Sequence, residues 1–122
     1  MINISNISKF FKDRVILEDI SFSIKNGDKI AIIGQSGIGK SVLLKSIIGL
    51  LNPDEGEIFI NEQNINKISF RKLQELRSKF GMVFQFGALF DSMTVEENIG
   101  LALQKLTNCD KLEISDRITI SL

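Results

Sequence analysis

Apolar and polar residues alternate from the start of the chain. Ile2 and Ile4, with Asn3 and Ser5 between and after them, predict a first strand that reaches Ile7. Ile20, Phe22 and Ile24 alternate cleanly with Ser21 and Ser23, the pattern of a half-buried strand. Asn26, Gly27 and Asp28 signal a turn. The next run, Ile30, Ala31, Ile32 and Ile33, does not alternate and stops at Gly34, which suits a strand buried in a parallel sheet. Residues 41–48 read as a helix ended by Gly49, and residues 52–56 as a turn followed by a strand at Glu57, Ile58, Phe59 and Ile60. Phe70, Leu73 and Leu76, three apart with charges between them, predict an amphipathic helix over 70–79. Residues 80–85 are strand-like. Thr94 and Glu97 form a capping box that opens a helix running to about Leu106. Ile114, Ile118 and Leu122, four apart, predict a last helix. Strands first and strand–loop–helix units after them make a mixed α/β domain.

Composition narrows the chemistry. The chain has 122 residues, enough for one core, so residues 1–122 read as one domain. Fifteen basic and fifteen acidic residues give a net charge of zero, which argues against a nucleic acid partner. There is no His and one Cys, which excludes a Ser-His triad, an internal disulfide and a Cys-cluster metal site. Cys109, between Asn108 and Asp110 in a polar stretch, reads as incidental. Nothing resembles a signal peptide, and no stretch approaches the ~20 apolar residues of a membrane span. The expected location is cytoplasmic, with peripheral attachment to a membrane protein left open. Chemistry here has to come from backbone amides, Lys, Ser and carboxylates.

Gly34, Gln35, Ser36, Gly37, Ile38, Gly39, Lys40 and Ser41 supply those groups in a recognisable order: two glycines five apart, then Lys and Ser. Glycines let successive N–H groups turn inward as an anion nest. A helix that follows points its positive end at the same place. Lys40 would bridge the β- and γ-phosphates, and the Ser41 hydroxyl would ligate Mg²⁺. The alternative is a chance match in a flexible loop. The preceding apolar strand and the following helix are the context that a phosphate loop requires.

This stretch resembles the Walker A motif of the ATP-binding subunits of ABC transporters, and other segments agree in order. Phe11 falls where that family places an aromatic that stacks on adenine. Phe10 competes for the role, and both rings could instead cover the core. The turn from Asn52 to Ile58 resembles the family's turn after the P-loop helix and reads as structural. Gln85, after Val83 and Phe84, resembles the Q-loop glutamine, which contacts Mg²⁺ and the attacking water and links to the membrane subunits. Residues 86–98 look like the ATPases of the Mla/Mkl group, which move lipids between bacterial membranes. Exposed Phe84, Phe86 and Phe90 would suit docking onto a permease loop, although two of the three could be core. The resemblance implies the ABC-type P-loop NTPase fold, truncated to the N-terminal β-subdomain, the Walker A core and the start of the helical subdomain. It implies ATP and Mg²⁺ as ligands. It implies a permease and a second ATP-binding subunit as partners at the inner face of the cell membrane.

The same family also needs a Gly-Gly-containing signature, an apolar strand ending in Asp-Glu and a downstream His, and none of these is in the sequence. The chain is therefore expected to hydrolyse ATP at or near background, because positioning and charge stabilisation supply almost all of phosphoryl-transfer catalysis. It is also expected to fold marginally alone, and it reads as a truncated or split frame. Two further readings stay open: a remnant that binds nucleotide weakly or not at all, and another P-loop enzyme such as a small nucleotide kinase. Arg14, Arg71, Arg77 and Arg117 are too scattered to favour the kinase.

Overall fold

The computed structural model describes all residues except Ser36, Gln85, Phe86, Ala88, Asn108 and Leu122, and except the side chains of Leu106, Lys111 and Ser121. It divides into two compact units, Met1–Phe80 and Gly81–Leu122.

The first unit is built on strands β1 (Ile2–Phe11), β2 (Arg14–Ile24), β3 (Glu55–Ile60) and β4 (Gln63–Asn64). They form one antiparallel sheet in the order β2-β1-β3-β4. Strict alternation would put Ile4 and Ile7 on opposite faces, yet both are buried. A register shift between them against β2 resolves the conflict. Asn6 takes a left-handed φ of 50° there, and Asp19 on β2 takes 47°. The two are tied by a 2.6 Å hydrogen bond from Asn6 Nδ2 to Asp19 Oδ1. The irregularity turns Leu17 and Ile20, also three apart, inward together.

Helix α1 (Lys40–Ile47) and helix α2 (Phe70–Arg77) complete this unit. Leu43 and Ile47 of α1 join Ile4, Ile7, Leu17, Ile58, Ile60 and Ile65 in the core, with Leu73 and Leu76 of α2 packed against it. Ser69 caps α2 by accepting from the Lys72 amide. Gly49, at a φ of 70°, ends α1 as the sequence predicts. Arg77 then joins the two helices, donating to the carbonyls of Ile48 (3.2 Å) and Gly49.

Two expected strands do not form. Residues 30–33 run without strand pairing, and Ile33 is 91% exposed. Residues 80–84 likewise lack a ladder, and Val83 is 95% exposed. An apolar run becomes a buried strand only where neighbours supply hydrogen bonds and cover, and among the described residues no strand pairs with either segment.

The second unit holds helix α3 (Val95–Leu106) and helix α4 (Lys111–Ser121). The Thr94–Glu97 capping box is formed in both directions. Asn98 ties the preceding loop to α3: its amide donates to the carbonyls of Phe90, Met93 and Thr94 while its oxygen accepts from the Phe90 amide. Gly100 lets the helices close. A Cβ there would stand 3.1 Å from Ile118 Cδ1, and Ile114 and Ile118 are buried as their spacing predicts.

Candidate functional site

The predicted loop is a real turn in front of α1. Gly39 sits at the N-terminal boundary of the helix with a φ of 99° and provides no side-chain cap. A Cβ on Gly39 would lie 2.7 Å from the carbonyl oxygen of Ile16 and 3.1 Å from Leu17 Cδ2. The position therefore requires glycine twice over, for its backbone angle and for its approach to β2. Gly37 shares the left-handed conformation at 82°. Ile38 folds its side chain across Gly34.

The first turn of α1 then carries two features at once. Gly39 offers the leading N–H groups of the helix no side-chain oxygen, although Ser, Thr, Asp and Asn are the usual residues at that boundary. Nor does an acidic side chain oppose the helix dipole there. Both leave the positive end of the helix available to an anion. The Lys40 ammonium reaches back over the loop and donates to the carbonyls of Gly34 (2.6 Å) and Gln35 (2.5 Å). Two of its three protons are thus used within the loop, and the third is available to a phosphate oxygen. Ser41 is the second residue of α1 and is exposed.

The donor set fits a polyphosphate carrying Mg²⁺. Among the described residues no cluster of acidic, His or Cys side chains could hold a metal by itself. A hard cation here would rest on phosphate oxygens, water and the Ser41 hydroxyl, as Mg²⁺ does at nucleotide sites.

Phe11 ends β1 opposite Arg14, at the two-residue hairpin into β2. Two and three residues beyond Arg14, the same limb of β2 places Ile16 and Leu17 against Gly39. Phe10 and Phe11 are both exposed, so neither is spent on the core. Sequence reasoning missed two residues around Phe11. Lys9 Nζ stands 5.5 Å from the centre of the Phe11 ring, and Asp54 accepts from Lys9 at 2.9 Å. The two-residue period between Lys9 and Phe11 was the available signal. The Lys9 hydrogen bond, with a second from the Phe10 amide, holds the Asp54 carboxyl below its ordinary value. Ser36 and Gln85, both expected at the site, lie outside the described residues.

Comparison with known protein families matches residues 17–121 to the family described as ABC transporter. The chain belongs to the ABC transporter family. It is 41% identical over 115 residues to the probable ribonucleotide transport ATP-binding protein mkl of Mycobacterium bovis, a match covering 94% of this chain and 32% of that protein. It is 40% identical over 108 residues to the intermembrane phospholipid transport system ATP-binding protein MlaF of Haemophilus influenzae, covering 88% of this chain and 41% of that one. The solved dimeric ATP-binding cassette MJ0796, in a post-hydrolysis state bound to ADP and Pi, superposes with a TM-score of 0.88 at 31% identity. That match covers 98% of this chain and 55% of the cassette. The fold is thus that of the ABC-type P-loop ATPase. The chain spans about a third to two fifths of the length of these two curated relatives. Among the described residues no helix is long and apolar enough to cross a membrane.

Proposed function

We propose that this chain forms the nucleotide-gripping part of an ABC transporter's ATP-binding subunit. The observation that carries the reading is the uncapped, acid-free start of α1 behind a glycine turn, with the Lys40 ammonium held over it. In this reading the loop amides of Gly34, Gln35, Ser36, Gly37, Ile38 and Gly39 surround the β-phosphate. Lys40 donates its third N–H proton to a phosphate oxygen, and Ser41 orients the cation. Phe11 offers a ring face to adenine. Gln85 completes the cation's surroundings. Bound Mg²⁺ would neutralise charge between the terminal phosphates.

The proposed partners are a permease in the inner membrane and a second ATP-binding subunit. The permease would dock through apolar residues of the 84–90 segment, of which Phe84 and Phe90 are exposed. The proposed cargo is a lipid or another envelope substrate, supported by the likeness to MlaF.

Thermal melting with Mg-ATP tests the site. A ligand that binds only the folded chain raises Tm, by a free energy of about 2.7 kcal/mol at a hundredfold excess over Kd. The wild type should show the shift and Lys40→Ala should not. Equal shifts in the two proteins would remove the phosphate-loop reading. For the cargo, loss of the gene should alter the lipid distribution of the envelope. An unchanged lipid profile with impaired uptake of a small solute would replace the lipid assignment.

A further inference from the structure

Asp54 lies in the turn between α1 and β3, and three bonds tie it to consecutive residues of β1. Its amide donates to the Ser8 carbonyl at 2.9 Å. Its carboxylate accepts from Lys9 Nζ at 2.9 Å and from the Phe10 amide at 2.7 Å. The first continues the pairing of Ser8 with Glu55 between β1 and β3, and the two bonds to the carboxylate are additional to it. Their shared effect is to fix the last residues of β1 immediately before Phe11.

Lys9 carries the effect to the ring. Its side chain is only 12% exposed, with the ammonium set between the Asp54 carboxylate and the ring of Phe11. Phe11 itself is 46% exposed on a two-residue hairpin. A ring in that setting would turn freely about its side-chain bonds. A cation held within 6 Å of the ring centre restrains it and occupies one side. The carboxylate stops the lysine from swinging into water. What remains open is the rest of the ring, on the hairpin whose β2 limb touches Gly39.

We propose that Lys9 and Asp54 are positioning residues, which hold the Phe11 ring ready to stack on a nucleotide base. The proposal rests on the nucleotide reading above and adds how base affinity is set. It predicts a specific asymmetry. Disturbing the pair weakens ligands that carry a base and leaves the phosphate grip intact.

The test is titration of the full chain with Mg-ATP and with Mg-triphosphate, which has no base. Phe11→Ala should weaken ATP about tenfold, as loss of roughly one stacking contact does, and leave triphosphate within twofold. Lys9→Met and Asp54→Asn should each weaken ATP about three- to tenfold with triphosphate unchanged, and Lys9→Arg should retain most of the ATP affinity. Lys9→Gln keeps a hydrogen bond to Asp54 but removes the charge. It gives the same answer if the harsher variants unfold, as judged by circular dichroism. Parallel losses for both ligands, or no loss for either, in the Lys9 and Asp54 variants would overturn the positioning role. If Phe11→Ala alone shifts the ratio, the stacking reading survives and only this inference falls. If Phe11→Ala leaves the ratio unchanged, or the wild type binds the two ligands equally, both fall together.

Discussion

At the scale of single residues, Gly39 is the most constrained position in the described site. A side chain there meets both a left-handed φ of 99° and the carbonyl of Ile16. Gly39→Ala should lower stability by about 1–3 kcal/mol, the usual range for backbone strain of this kind. Chemical denaturation of the variant and wild type checks it, and an unchanged midpoint would show that the loop can leave β2 freely. Two carboxylates contribute to the acid response. Lys9 lowers Asp54 from its ordinary 3.8, and Lys67 lowers Glu57 from its ordinary 4.5, in each case chiefly by hydrogen bonding. A carboxyl that is more acidic folded than unfolded stabilises the fold above its ordinary value. That contribution is lost as the pH falls through the lowered one. Melting temperature should therefore decline below about pH 4.5 in the wild type. The decline should be shallower in an Asp54→Asn, Glu57→Gln double variant, and parallel curves from pH 6 to pH 2 would contradict it.

At the scale of elements, the helix that carries the phosphate loop is short and depends on its neighbours. Eight residues are too few for stability in isolation. Its N-terminus lacks a side-chain cap, so its anchorage comes from elsewhere. Leu43 and Ile47 provide it by burial, and Arg77 of α2 by binding the carbonyls of Ile48 and Gly49. Arg77→Met keeps the apolar stem and removes the donor. It should cost about 1.5–3 kcal/mol, the range for a hydrogen bond to a charged group. Amide exchange should rise in α1 more than in β3. Uniform loss of protection would instead mean that the bond supports the whole unit equally. Helices α2 and α3 and the capping box of α3 were legible in the sequence because capping and three- or four-residue spacing are local properties, whereas the Ser69 cap of α2 emerged only from the structure. The bulge at Asn6 and Asp19 was not, since neither residue type announces that two strands slip together.

At the scale of the whole molecule, extended apolar segments are left without cover. Ile33 and Val83 are almost fully exposed on stretches with no ladder partners among the described residues. Such segments recruit other chains. Sedimentation should show concentration-dependent association. Ile33→Thr with Val83→Thr should reduce it while leaving the melt within about 0.5 kcal/mol of wild type, as surface changes do. A monomer at all concentrations would count against the idea. By itself, the order of residues determined the helices, the capping box of α3, the phosphate-loop motif and the α/β class, because each depends on chemistry within a few positions along the chain. Tertiary structure alone decided that residues 30–33 and 80–84 have no strand partners, that Gly39 abuts Ile16, and that Asp54 reaches across to Lys9 beside Phe11. Those outcomes depend on which distant segments come within hydrogen-bonding or van der Waals range, and local spacing carries no record of that.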